Sequence, residues 1–114
     1  MGKPTPDYIR DKLLWLGFTP ANKGFNYLID AVMILERDPD AAFNVVKKIY
    51  MELGSKYGVS SQAAERCIRQ SILSAMKLSY EKIHDYLRCQ PTAASGSYKN
   101  SDFLLAFHIA LHRE

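Results

Sequence analysis

The chain contains 114 residues, of which 47% are hydrophobic and 24% are charged, and its net charge is +3. This composition is ordinary for one soluble globular domain and argues against wholesale disorder. No apolar run approaches the ~20 residues that a membrane span needs, and two cysteines are too few for a disulfide framework, so we expect a cytoplasmic protein without a membrane partner.

Helical periodicity runs through nearly the whole chain, and no strand alternation of useful length is present. The predicted helices occupy residues 7–16, 19–37, 41–57, 60–77, 79–87 and 101 onward, with a loop over 88–100. In the third of these helices, the periodicity predicts that Phe43 and Val46 face the core together with Ile49, Tyr50 and Leu53. We therefore predict an all-α fold of about six helices in a single domain spanning residues 1–114.

Positive charge is concentrated in the middle of the chain. Residues 41–88 hold eight basic and four acidic side chains, net +4, whereas residues 1–40 are net −1 and residues 89–114 are neutral. A local basic excess is typical of a surface that binds a polyanion. The middle of the chain is therefore where we expect a nucleic acid to bind.

Residues 50–70 have the pattern of two helices joined by a short turn. Gly58 can adopt the left-handed conformation that ends the first helix, and Gly54 leaves room for a close approach. Ser60 or Ser61 then caps the second helix. This pattern predicts a helix-turn-helix over about 41–77.

The second helix of this motif has two distinct faces at about 100° per residue. Small and apolar residues form the inner face: Ala64, Ile68, Ser71 and Ala75. The outer face carries Gln62, Arg66, Arg69, Gln70 and Leu73, flanked by Glu65, which we expect to orient the guanidinium of Arg66. Arginine pairs with guanine and glutamine with adenine when a helix enters the major groove. An ordinary solvated face is the alternative for this helix alone, and the glycine turn and local charge favour DNA binding.

Three stretches of the chain resemble the C-terminal effector domain of the stage-zero sporulation protein A family, the master response regulator of endospore-forming bacteria. They are LGFTPANKGFNYLIDAV over 16–32, KYGVSSQAAERCIRQSI over 56–72 and NSDFLLAF over 100–107, and their spacing also agrees. The resemblance runs from about Ile9 to Arg113. It implies a winged-helix-like, six-helix DNA-binding bundle that recognises an asymmetric element resembling TGTCGAA, with the helix over 60–77 in the major groove.

The resemblance also implies roles for individual residues. The family's Glu-Arg pair matches Glu65 and Arg66, and its following arginine matches Arg69, so these three are predicted base or near-base contacts. Gln62 and Gln70 are weaker candidates, because the polar residues at these positions differ from those of the family. The predicted contacts to the DNA backbone are Ser60, Ser61, Lys23, Lys47, Lys48, Lys56, Lys77 and Lys82.

The chain departs from the family in three respects. Family members carry an N-terminal receiver domain, which this sequence does not contain, and both an excised effector domain and a natural protein without a receiver fit this difference. Leu73 is an unexpected apolar residue on the DNA-facing side. The loop over 88–99 departs from the family pattern, which puts its backbone contacts in doubt.

Family members bind tandem sites head to tail, which implies a homodimer on DNA. The last helix carries an apolar stripe at four-residue spacing, formed by Phe103, Phe107 and Leu111. We predict that these three residues are the dimer contact on DNA and that the free protein is a monomer. RNA polymerase is a further candidate partner.

No residue pattern indicates catalysis or a cofactor. His108 and His112 have the four-residue spacing that can hold zinc on a helix, but no third ligand is evident nearby and Glu114 is terminal, so we predict no metal site. No phosphate loop, catalytic carboxylate pair or Ser/His/Asp arrangement is recognisable. The leading function is sequence-specific transcription regulation rather than enzyme activity. The alternative is a helical protein-interaction module that has kept the fold and lost specific DNA binding.

Overall fold

The polypeptide folds as helices and connecting turns throughout the part that the computed structural model describes, residues 4–114. The α-helices of this part are α1 (Pro6–Trp15), α2 (Lys23–Arg37), α3 (Met51–Tyr57), α4 (Ser61–Leu87) and α5 (Asn100–Arg113). A 3-10 turn, Pro39–Phe43, and a π-helical turn, Val46–Tyr50, connect α2 to α3. The all-α prediction is confirmed. Residues 4–114 include no strand, so they form no β-hairpin wing. The predicted likeness to winged-helix domains therefore holds only for the helices.

The core lies where α2 packs against α1, α4 and α5. Large apolar side chains recur along α2 at helical spacing, and they are fully buried: Phe25, Leu28, Val32 and Leu35. Ile68 and Ile72 enter the same core from α4, and Phe103 and Phe107 enter it from α5. Helix α2 is therefore the central element, against which the other helices are positioned.

Helix α4 unites two of the six predicted helices. Ser79 inside it has non-helical dihedral angles, φ −139° and ψ 38°, at the junction between the helices predicted over 60–77 and 79–87. The kink lies against the turn that follows α1, where Gly17 has φ +96° and a Cβ would lie 2.4 Å from the Ser79 hydroxyl oxygen. The predicted boundary is therefore present as a bend, and the helix does not end there.

The prediction of one continuous helix over 41–57 is wrong in its first half. Asn44, with φ −150° and ψ 58°, interrupts the helical backbone between the two short turns. Phe43 and Val46 point away from the core and are 80% and 54% exposed, whereas Ile49 is buried as predicted. Phe43 precedes the break, so its phase no longer follows from the helix after it. Val46 follows the break and lies in the π-helical turn, which departs from the 3.6-residue period.

Candidate DNA-binding surface

A tight turn with fixed backbone geometry joins α3 to α4. Gly58 has φ 69°, the left-handed conformation in which α3 ends, and the amide of Val59 donates to the carbonyl of Gly54 at 3.0 Å. A Cβ on Gly54 would lie 2.5 Å from the Val59 carbonyl oxygen, so a side chain there would force the turn apart. The hydroxyl of Ser60 accepts from the amide of Ala63 at 3.0 Å and caps α4. The glycine turn and the serine cap are confirmed, and together they determine where α4 begins.

The first four turns of α4 have one buried and one exposed face. The buried face consists of Ala64, Ile68, Ser71 and Ala75. The exposed face carries the polar residues predicted to contact bases: Gln62, Arg66, Arg69 and Gln70. Burial therefore confirms the predicted orientation of the helix, which leaves these polar side chains in solvent.

Glu65 binds Arg69 rather than Arg66. The Nη1 atom of Arg69 lies 2.7 Å from both carboxylate oxygens of Glu65, one helical turn away. Asn100, at the start of α5, donates from Nδ2 to the Glu65 carbonyl at 3.0 Å and to Glu65 Oε2 at 3.4 Å. The expectation that Glu65 orients Arg66 is therefore wrong, because residues four apart share a helix face and adjacent residues do not. Asn100 is not among the predicted site residues, although it is the first residue of the third stretch that resembles the family.

Arg66 is the most available donor on the exposed face of α4. Within residues 4–114 its exposed side chain forms no hydrogen bond and no ion pair. Gln70 is likewise without a hydrogen-bond partner in this part of the chain, whereas Gln62 accepts from the hydroxyl of Ser61 at 3.2 Å. A guanidinium presents five donors in a rigid fork, which suits a guanine edge or a phosphate. Arg66 can therefore bind DNA without first breaking an interaction within the protein.

Leu73 lies in a cleft rather than on the open DNA-facing surface. This cleft, of about 440 Å³, lies between α4 and the segment that leads into α5, and Leu73 lines it together with Tyr50, Arg69 and Tyr98. Tyr98 is buried and donates from its hydroxyl to the Cys89 carbonyl at 2.6 Å, which holds the loop in place. The loop thus partly covers the apolar residue that had no explanation in the sequence.

The N-terminus of α2 lies against the N-terminal half of α4. A Cβ on Gly24 would lie 2.2 Å from the carbonyl oxygen of Cys67, so the two helix backbones are in close contact. Lys23 is exposed beside this contact, and the first turn of α2 contains no acidic residue. The side chain of Asn22 makes no capping hydrogen bond. The positive end of the helix dipole and Lys23 therefore favour an anion next to α4.

The six lysines predicted to contact the DNA backbone differ in how far the protein already engages them. Lys48 and Lys56 each pair with an aspartate, at 3.7 and 3.0 Å. Lys82 donates to the carbonyl of Trp15 at 3.3 Å and lies 4.8 Å from the centroid of its ring. The others are exposed and form no ion pair or hydrogen bond in the part of the chain described: Lys23, Lys47 and Lys77. The ammonium groups of these three lysines are therefore available to pair with an external anion.

The apolar stripe of α5 belongs to the core of this molecule. Phe103 and Phe107 are 0% exposed and Leu111 is 1% exposed. The Phe103 ring lies 5.5 Å from that of Phe18 and 5.6 Å from that of Phe107, measured between centroids. The prediction that these three residues form the dimer contact is therefore wrong, because a partner could reach them only if the core opened. Ile109, 49% exposed, is the large hydrophobic residue that α5 leaves in solvent.

Glu36 brings a third polar group to the two histidines of α5. Its Oε2 atom lies 2.8 Å from Nδ1 of His108 and 2.7 Å from Nε2 of His112. Burial lowers the pKa of His108, and the nearby Glu36 carboxylate opposes that shift. Glu36 could not be predicted as a third group, because it lies on α2, far from the histidines along the chain. Glu114, the other candidate, pairs with Lys12 at 3.1 Å.

The family of the chain follows from comparison with known proteins. Residues 9–111 match the family described as Sporulation initiation factor Spo0A C terminal, which leaves only the first eight and last three residues unmatched. The chain belongs to this family. Spo0A C-terminal domains are sequence-specific DNA-binding effector domains that regulate transcription in sporulation, so double-stranded DNA is the partner of this Spo0A-type domain.

Two further findings complete this description. The search of curated proteins found no match to the chain. None of the helices within residues 4–114 is long and apolar enough to cross a membrane.

Proposed function

We propose that this Spo0A-type domain recognises a TGTCGAA-like element by placing α4 in the major groove, with Arg66 as its principal base contact. The observation that carries the proposal is the exposed and unengaged guanidinium of Arg66, in the N-terminal half of a capped helix. The major groove admits one α-helix, and the N-terminal half of that helix usually contacts the bases. A guanine of the element is the natural partner, because arginine binds guanine O6 and N7 with two hydrogen bonds.

Arg69 supplies a second guanidinium, which is already held in place. Both carboxylate oxygens of Glu65 contact Arg69, and Asn100 in turn holds Glu65, so we assign Glu65 a positioning role and Arg69 the contact to DNA. A side chain ordered before binding loses less conformational entropy when the complex forms. Gln62 and Gln70 lie on the same exposed face and are secondary candidates for base contacts.

Sequence-independent affinity comes from groups around this face. We assign backbone contacts first to the three unengaged lysines, Lys23, Lys47 and Lys77, and to Ser60 and Ser61 at the start of α4. Lys23 has the additional support of the α2 helix dipole. Lys48, Lys56 and Lys82 are secondary, since a phosphate would have to compete with their partners within the protein.

Two copies of the domain bind adjacent elements cooperatively in this proposal, with RNA polymerase as a later partner in the cytoplasm. The resemblance to the family suggests the tandem binding, and a role in transcription regulation suggests RNA polymerase. The buried stripe of α5 requires that a contact between copies use exposed residues. A coupling free energy of about 1–3 kcal/mol is the usual size for such cooperation. Titration of one-site and two-site duplexes measures it, and independent filling of the two sites would contradict it.

The base-reading role of Arg66 is tested by Arg66→Ala in a fluorescence anisotropy titration. The duplexes carry either the TGTCGAA-like element or a scrambled sequence of the same composition. We expect the variant to lose about 1–3 kcal/mol of affinity for the specific duplex and less for the scrambled one. Arg37→Ala is the matched control, since it removes the same charge at the far end of α2, where Arg37 pairs with Glu52 at 2.7 Å. Equal losses of affinity for the two duplexes would show that Arg66 contacts only a phosphate.

Salt dependence separates DNA binding from the alternative of a protein-interaction module. Each phosphate contact should contribute about one unit to the slope of log affinity against log salt. Neutralising Lys23, Lys47 or Lys77 singly should therefore lower the slope by about one, and neutralising Lys82 should lower it less. A domain that binds neither duplex above background at low salt would favour the protein-interaction alternative.

A further inference from the structure

A buried carboxylate and two imidazoles form a cluster between the end of α2 and the last turns of α5. The side chain of Glu36 is only 6% exposed, and its Oε2 atom lies 2.8 Å from His108 and 2.7 Å from His112. One oxygen and two nitrogens of the three side chains all lie within 4.8 Å of one another. The imidazole rings are 4.9 Å apart between centroids, one helical turn from each other on α5.

The charge of Glu36 has no basic partner other than these imidazoles. In the described part of the chain, no lysine or arginine pairs with its carboxylate, and the neighbouring Arg37 pairs with Glu52 instead. A buried carboxylate is costly unless a cation or several hydrogen bonds compensate it. The surroundings of Glu36 therefore call for a cation at this position.

His108 adds a further observation at the same contact. Its Nδ1 atom is fully buried and forms no hydrogen bond in the described part of the chain, although the Glu36 oxygen is 2.8 Å away. The distance between Nδ1 and the Glu36 oxygen is that of a hydrogen bond, but the oxygen does not lie in the direction in which Nδ1 can form one. Buried polar atoms without a partner are rare, and an ion is one of the groups that can satisfy them.

The geometry points to a divalent transition-metal site, with Zn²⁺ as the ion that best fits the donors. Two imidazole nitrogens and one carboxylate oxygen form a recognised zinc ligand set, and histidines four residues apart on a helix can bind one ion together. Tetrahedral bonds of about 2.0–2.2 Å place ligand atoms roughly 3.4 Å apart, so the contacts of 2.7 and 2.8 Å must widen by about 0.6 Å. His112 is 46% exposed, which leaves room for this shift and for a water molecule as the fourth ligand.

The bound metal joins α2 to α5 at a distance from the DNA-binding surface. Glu36 lies twelve residues after Gly24, the point at which α2 contacts α4, or about 18 Å along the helix. Zinc therefore stabilises the packing of α5 without covering Arg66 or Lys23. This inference does not depend on the element that α4 recognises.

The test measures Zn²⁺ binding to the full chain by isothermal titration calorimetry after treatment with a chelating resin. We expect one ion per chain and at least a tenfold weaker affinity for His112→Ala and Glu36→Gln. His84→Ala is the matched control, because His84 lies on α4 outside the cluster and its loss should leave the affinity unchanged. Co²⁺ substitution should give the visible absorption of a tetrahedral site in the wild type and not in His112→Ala.

Thermal unfolding with and without Zn²⁺ supplies a second readout. The ion should raise the melting temperature of the wild type and of His84→Ala, and it should leave that of His112→Ala unchanged. His112 is half exposed, so its variant should fold even if Glu36→Gln does not. No binding at ~100 µM Zn²⁺, or equal affinity in the wild type and His112→Ala, would overturn the proposal.

Discussion

Replacing Gly24 by alanine tests whether the contact between α2 and α4 positions the DNA-binding surface. The added Cβ would lie 2.2 Å from the Cys67 carbonyl oxygen and 2.8 Å from Cβ of Ser71. A carbon and a carbonyl oxygen in contact are normally about 3.3 Å apart, so the two helices must separate by about 1 Å. The obstruction is backbone, which cannot rotate away as the end of a side chain can.

The expected loss of stability follows from two opposing terms. Overpacking of this kind costs about 1–3 kcal/mol, whereas alanine gains about 0.5–1 kcal/mol over glycine inside a helix. The net loss in the free energy of unfolding should be about 1–2 kcal/mol, or about 4–8 °C in melting temperature for a domain of this size. The separation also moves Lys23 relative to α4, so affinity for the specific duplex should fall as well.

Urea denaturation and thermal melting of Gly24→Ala measure this loss directly. Asn26→Ala is the matched control, because Asn26 is exposed on the same helix and its replacement meets no backbone. The control should be neutral or slightly more stable than the wild type. If Gly24→Ala matched the control in stability, the close contact of α2 and α4 and the reasoning built on it would be refuted.

Three further outcomes are expected. Ser60→Ala removes the cap of α4 and should lower the free energy of unfolding by about 1 kcal/mol in urea denaturation, with little change for Ser55→Ala on the exposed surface of α3. The effects of Glu65→Gln and Arg69→Ala on DNA affinity should be non-additive by about 0.5–1 kcal/mol, and strict additivity would contradict the positioning role of Glu65. Burial raises the pKa of Tyr86 and Tyr98 to about 12. Unfolded tyrosines ionise near pH 10, so stability should be fully present below about pH 10 and fall towards pH 12, and pH-independent unfolding over this interval would contradict the burial of both phenols.

Local features of the sequence were sufficient to predict the helical fold and the orientation of α4. The left-handed Gly58, the cap at Ser60 and the burial of Ile68 each depend on residues within one or two helical turns. Backbone preference and the helical period operate over that range, so they can be read without knowledge of the rest of the molecule. The same reasoning failed at Asn44, where one non-helical residue within an otherwise helical pattern changed the phase and exposed Phe43.

Interactions between distant parts of the chain were decided only by the tertiary structure. The apolar stripe of α5 was equally suited to a core or to a partner, and the packing of Phe103 against Phe18 assigns it to the core. Asn100 reaches Glu65, and Glu36 reaches the histidines of α5, because α2, α4 and α5 pack around one core. The periodicity of a helix shows which face is apolar, but it carries no information about which other helix will cover that face. That choice depends on how closely the backbones approach and on which polar groups are buried together, and both arise only when the helices pack.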